Sequence, residues 1–170
     1  MGASGLLKDK VVLVVDDDPD VLDTVEDVLS MCLVQKASDY ETARQYLLSY
    51  NFDIVILDIM GVNGFELLKT SVKRRFPTVM LTAYALTPEA LEKSMKLGAV
   101  SFLPKEKMIE LEEFLEDVVL GGGKPVWEKL FQRLGGFFSR RFGPDWKERN
   151  EFFKSFEQTV KQGLSRKSCS

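Results

Sequence analysis

Val11-Val12-Leu13-Val14-Val15-Asp16-Asp17-Asp18-Pro19 is the stretch on which the fold turns. Five β-branched or apolar residues in a row, too few for a buried helix and without polar alternation, predict a strand covered on both faces. The run stops at three aspartates. Asp18 followed by Pro19 then predicts a helix start, with the carboxylate as cap and proline in the first turn, ahead of Val21, Leu22, Val25, Val28 and Leu29 at helical spacing. The same alternation recurs downstream. Leu33 to Ala37 predicts a second strand, and Ser38 with Glu41 three residues on predicts a capping box for the helix carrying Ala43, Tyr46 and Leu47. Phe52 to Asp58 is another buried-strand run that ends in an aspartate. Phe65, Leu67, Leu68 and Val72 then mark a helix stopped ahead of Pro77. Thr78 to Thr82 is strand-like, Thr87-Pro88-Glu89 opens a helix that Gly98 closes, Val100 to Leu103 is a last strand before Pro104-Lys105, and Met108 to Leu120 is a final helix containing Ile109 and Leu115. Five strand–helix pairs in strict alternation predict an α/β, doubly wound, five-stranded parallel sheet.

In such a sheet all strands end at one edge, where ligands bind near the reversal of strand order. Asp16, Asp17, Asp58, Thr82 and Lys105 therefore converge, although about ninety positions separate the first from the last. Carboxylates held together raise each other's pKa unless a cation compensates, and a hard ion such as Mg²⁺ takes one or two carboxylates, a carbonyl and waters. With Lys105 adding positive charge, a remaining carboxylate can attack a phosphoryl group, and Asp58, alone on a central strand, is the best-placed nucleophile. Asp18 has an adequate explanation as a helix cap.

The chain of 170 residues has no histidine, which excludes histidine-dependent triads and general bases and any zinc or haem site that needs an imidazole from these residues. Cys32 and Cys169 form no disulfide framework and suggest a reducing, cytoplasmic setting. Met1 to Lys10 lacks the apolar core of a signal peptide, and no apolar run approaches the ~18 residues of a membrane span, so a soluble protein is expected. The net charge of −3 is unevenly spread: residues 1–124 hold 13 Lys and Arg against 21 Asp and Glu, residues 125–170 hold 10 against 5. The seam falls at Gly121-Gly122-Gly123-Lys124-Pro125.

Val14-Val15-Asp16-Asp17-Asp18-Pro19, Ile56-Leu57-Asp58, Leu81-Thr82-Ala83 and Phe102-Leu103-Pro104-Lys105 together resemble the receiver domain of bacterial two-component response regulators. The resemblance covers residues 10 to about 120 and implies the flavodoxin-like (βα)5 arrangement. It also implies that Asp58 takes a phosphoryl group from the phosphohistidine of a sensor histidine kinase or phosphotransfer protein. Asp17 would bind Mg²⁺ directly and Asp16 mainly through water, with Asp58 and the Met60 backbone carbonyl completing the protein ligands. Thr82 would hydrogen-bond a phosphoryl oxygen, Lys105 would pair with another, and Phe102 would swing inward as an aromatic switch. Two departures stand out. Glycine follows the acceptor at six positions (Gly64) rather than eight, shortening the metal-side loop, and proline precedes Lys105 where the family has it following.

Division at the seam predicts a receiver over 1–120, a linker over 121–125 and a helical extension over 126–170. Trp127, Leu130, Phe131 and Leu134 predict one helix, interrupted at Gly135-Gly136. Arg140 to Pro144 predicts a turn, and Asp145 to Val160 a second helix lined by Trp146, Phe152, Phe153 and Phe156. So short a hairpin needs a partner surface, on the receiver, on a second copy in a homodimer or on another protein. Arg140, Arg141, Lys147, Arg149 and Lys154 also outline a nucleic-acid footprint, less favoured because no helix-turn-helix pattern accompanies it, and a basic helix on a membrane surface is a comparable outsider. Gln162 to Ser170 is a polar tail expected to be disordered. Signalling through protein contacts is thus the leading expectation. A DNA-binding regulator and a Mg²⁺-dependent aspartyl-phosphate phosphohydrolase are the alternatives, the latter weakened by Met60 where an acid–base aspartate is expected.

Overall fold

Each buried run of the sequence becomes one strand of a single parallel sheet in the computed structural model, which describes residues 5–83 and 86–159. The strands are β1 (Val11–Val15), β2 (Leu33–Ala37), β3 (Ile54–Asp58), β4 (Thr78–Thr82) and β5 (Ser101–Pro104). Their order is β2-β1-β3-β4-β5. Strands β3 and β4 are buried at every position, the polar Asp58, Thr78 and Thr82 included, whereas the edge strand β2 alternates between exposed and half-buried as far as the buried Ala37. Helices α1 (Pro19–Val28), α2 (Tyr40–Ser49), α3 (Gly64–Lys73), α4 (Pro88–Lys96) and α5 (Leu111–Leu120) connect and follow the strands. The chain leaves β1 in one direction to reach β2 and returns past β1 to β3, so strand order reverses between β1 and β3.

Local chemistry sets the helix ends. Asp18 and Thr87 cap α1 and α4, accepting from the amides of Asp20 at 2.9 Å and Ala90 at 3.1 Å. The cap of α2 is Asp39, not Ser38: its carboxylate accepts from the Thr42 amide at 2.8 Å and the Thr42 hydroxyl at 3.0 Å. A charged acceptor serves the positive end of a helix better than a hydroxyl, and it leaves Glu41 one position short of closing a capping box. The last helix also differs from expectation. Lys105–Glu110 is a 3₁₀ segment with no buried residue, and α5 begins only where Leu111, Phe114, Leu115 and Val118 find the core. Ile109, expected in the apolar stripe, is 83% exposed. The Cys32 thiol donates to the Leu7 carbonyl at 3.3 Å, and burial, with Glu112 nearby, pushes it up to about 11, so it is no reactive thiolate. Cys169 lies outside the described residues.

Beyond the glycines, α6 (Trp127–Phe142) runs unbroken through Gly135 and Gly136. Each glycine costs a helix about 1 kcal/mol against alanine, but Leu130, Phe131, Leu134 and Phe138 form one buried stripe spanning both sides of the pair. Arg140 and Arg141 belong to its last turn, where cations favour the helix dipole, rather than to the turn that follows. Trp146, 3% exposed, sits in that turn, and a helical stretch begins at 151, where Asn150 accepts from the Phe153 amide at 3.2 Å. Val160 and the tail from Gln162 lie outside the described residues. Phe131 meets Phe138, Trp146, Phe153 and Phe156 with ring centroids 5.6 to 6.2 Å apart, so the segment has an aromatic centre of its own. It packs against the rest of the chain as part of one apolar core. No described helix is long and apolar enough to cross a membrane.

Candidate functional site

The acidic residues meet at the reversal of strand order. Register pairs Val15 with Leu57, so Asp16 and Asp58 follow side by side at the ends of β1 and β3. Asp58 pairs with Leu81, and Thr82 with Pro104, which brings the ends of β4 and β5 to the same edge. One carboxylate oxygen from each of Asp16, Asp17 and Asp58 lies within 4.8 Å of the others. Asp16 and Asp58 are buried and Asp17 is exposed. Lys105 reaches in from the end of β5, its Nζ 2.8 Å from Asp16 Oδ2 and 3.4 Å from Asp58 Oδ1. Thr82 is fully buried at its strand end, and Phe102 is fully buried on β5, so the aromatic ring already points into the protein.

Electrostatics at this edge are unbalanced. Burial and the Asp16 charge push the Asp58 carboxyl up to about 6, with Lys105 opposing and Asp17 adding to the rise. The Lys105 ammonium is held above its ordinary range: burial works against the charge, but Asp16 and Asp58 outweigh it. Asp16 Oδ1 accepts from the Asp18 amide at 2.9 Å, while its buried Oδ2 has the Lys105 charge beside it but no directional hydrogen bond. Three carboxylates against one ammonium, with one buried oxygen short of a hydrogen bond, make a donor set suited to a hard divalent cation.

The loop after Asp58 contains two sterically constrained glycines. A Cβ on Gly61 would stand 2.5 Å from Asp17 Oδ2, and the backbone there has φ +85°, so a side chain is excluded twice over. A Cβ on Gly64 would collide with the Asp58 carbonyl oxygen, and the Gly64 amide donates to the Ile59 carbonyl at 3.0 Å. The two glycines let a shortened loop close tightly, with its backbone pressed against the Asp17 carboxylate. The only sequence signal for this was the glycine arriving two positions early. The Met60 side chain is 56% exposed beside the site.

Three of the five basic residues that outline the suggested nucleic-acid footprint have partners within the chain: Arg141 pairs with Glu106 at 3.3 Å, Arg149 with Asp145 at 3.2 Å, and Lys147 lies over the Phe131 ring at 4.8 Å.

Comparison with known proteins agrees with this geometry. The response regulator receiver domain family matches residues 12–117. Two-component response regulator ARR2 of Arabidopsis thaliana is 38% identical over 106 residues, 58% of this chain and 16% of the relative. A protein-glutamate methylesterase/protein-glutamine glutaminase 2 of Shewanella sp. (strain MR-4) is 31% identical over 120 residues, 64% of this chain and 34% of the relative. The chain thus spans about a third or less of these curated relatives. Among solved structures, chemotaxis response regulator CheY4 of Vibrio cholerae is 26% identical with a TM-score of 0.57, covering 66% of this chain and 99% of that one. A CheY-like receiver domain protein of Methanospirillum hungatei shares the fold at 22% identity and a TM-score of 0.58, covering 68% of this chain and 99% of that one.

Proposed function

Because this chain belongs to the response regulator receiver family of two-component signalling, we propose that Asp58 is its phosphoacceptor and that residues 1–120 form the receiver unit. The observation that carries this reading is the convergence of Asp16, Asp17, Asp58 and Lys105 on one sheet edge. An Asp58 carboxylate oxygen attacks the phosphorus of a phosphohistidine, an O–P bond forms as the P–N bond breaks, and the imidazole leaves with the electron pair and takes up a proton. The 170 residues contain no histidine, so the donor imidazole comes from outside them, from a sensor histidine kinase or phosphotransfer protein in the cytoplasm. Asp16, Asp17, Asp58 and the Met60 carbonyl would hold a Mg²⁺ ion, which would neutralise charge on the phosphoryl oxygens. Lys105 would move from the aspartates to one phosphoryl oxygen while the Thr82 hydroxyl donates to another. The Asp58 carboxyl, though raised to about 6, is mostly ionised above pH 7 and more basic than an ordinary aspartate, which suits a nucleophile.

Phosphorylation adds about −1.5 to −2 charge and three acceptors, and Thr82 and Lys105 follow those oxygens by drawing their loops inward. Phe102, buried on β5, would report that movement to the neighbouring helices. The output in this reading is a change of protein contacts, with no catalysis beyond phosphoryl uptake and slow self-dephosphorylation. The methylesterase relative matches these residues over 34% of its own length, so its activity is not carried over to them. The test is uptake of phosphate from acetyl phosphate with Mg²⁺, read by intact-protein mass spectrometry. Asp58→Asn should abolish the adduct and keep the circular-dichroism spectrum, and an unchanged adduct in that variant overturns the assignment.

A further inference from the structure

Only residues 59–63 separate the end of β3 from the start of α3, and two of them are anchored in the core: Ile59 is 5% exposed and Val62 1%. Met60 and Gly61 lie between these anchors. Gly61 has φ +85° and Asn63 φ +54°, and the Gly64 amide donates to the Ile59 carbonyl at 3.0 Å, so the turn is closed on itself as well as pinned. A methyl group on Gly61 would stand 2.5 Å from Asp17 Oδ2, 2.7 Å from its Cγ and 2.8 Å from Oδ1. The turn therefore forms a backbone wall against the whole carboxylate of the exposed aspartate in the cluster. Burial fixes Asp16 and Asp58, and this wall limits where Asp17 can turn.

We propose that the turn over residues 59–64 sets the size of ion that the acidic cluster accepts, favouring Mg²⁺ over Ca²⁺, with Gly61 as the residue that positions Asp17. This rests on the reading of the cluster as the divalent-cation site of a phosphoacceptor. Mg²⁺ takes oxygens at about 2.0–2.1 Å in near-ideal octahedral geometry, whereas Ca²⁺ takes about six to eight at ~2.3–2.6 Å in flexible geometry. A site separates the two by its size and by how far its ligands can retreat. Here each ligand is restrained. Asp16 and Asp58 follow or end the adjacent paired strands β1 and β3. Gly61 restricts the swing of Asp17, and the turn can withdraw only by pulling Ile59 or Val62 out of the core, which returns buried apolar surface to water. A longer turn could bow outward without disturbing the core, and the shortened one cannot.

The test is calorimetric titration of the full chain with MgCl₂ and with CaCl₂, the quantity read being the ratio of the two affinities. Damage to the fold lowers both affinities alike, whereas loss of the restraint moves the ratio. Val62→Ala keeps every ligand and Gly61 while removing one anchor, and the preference for Mg²⁺ should fall about threefold or more, chiefly through tighter binding of Ca²⁺. Gly61→Ala displaces Asp17 and should weaken Mg²⁺ about tenfold but Ca²⁺ about threefold or less, since the larger ion tolerates an ill-placed ligand. Circular dichroism of each variant checks that it is folded. A parent chain that binds Ca²⁺ as tightly as Mg²⁺, an unchanged ratio in Val62→Ala, or equal losses for both ions in Gly61→Ala overturns the size selection and leaves the reading of the site standing. A parent chain that takes up neither ion overturns both.

Discussion

The sheet-based region through α5 and the C-terminal segment solve the problem of placement in different ways. In the first, functional groups sit at strand ends, and register alone brings Asp16, Asp58 and Lys105 together from distant parts of the chain. In the second there is no sheet. Phe131, Phe138, Trp146 and Phe153 define its position by packing on one another and on the common core. The family match ends at residue 117, before α6 begins. A periodic scaffold repeats a known plan, whereas a short aromatic segment is specific to its own contacts.

The comparison can be broken most directly at Phe138, which is fully buried although it lies beyond the family match. Phe138→Ala should cost about 3–5 kcal/mol in urea denaturation if the segment shares one cooperative core. A loss below about 1 kcal/mol, or a separate early transition, would show that the segment melts alone.

The next effect belongs to the sheet edge. Asp58 has its folded pKa raised to about 6 from an ordinary 3.8, so its protonated form favours folding. That contribution is complete below about pH 4 and lost as pH rises through 6. Without divalent cations, Asp58→Asn should therefore be more stable than the parent by about 1–3 kcal/mol at pH 7.5 and indistinguishable from it near pH 4. Equal stability at both pH values would show that the carboxylates are not in conflict.

Gly61→Ala sharpens the role of the shortened loop. Displacing the Asp17 carboxylate should weaken Mg²⁺ binding about tenfold, measured by calorimetry. Asp17→Asn supplies the reference for loss of the ligand itself, and unaltered affinity in Gly61→Ala would mean that Asp17 adjusts freely. The smallest effect is at Arg133, whose pair with Asp117 is partly exposed. Arg133→Ala should cost about 0.5–1 kcal/mol of stability, and a larger loss would mean that charge rather than aromatic packing seats the segment.

The order of strands and helices through α5, and the residues at the strand ends, are legible in the sequence. Both are local properties: a β-branched run must be buried, and its last polar residue must face the edge where runs of this kind terminate. The charge split at Gly121-Gly122-Gly123 was equally legible. The remaining features depend on packing between distant parts of the chain. Gly135-Gly136 reads as a break because propensity is summed locally, yet the helix continues because the buried stripe on either side outweighs two glycines. Ile109 reads as core and is exposed because residues 105–110 form a 3₁₀ segment, whose three-residue turn does not carry the α-helical stripe into the core. The fit of Gly61 against Asp17, and the grip of Glu106 and Lys107 on α6, depend on distances between residues far apart in the chain. No local pattern encodes such distances, and they arise only once the sheet has been built.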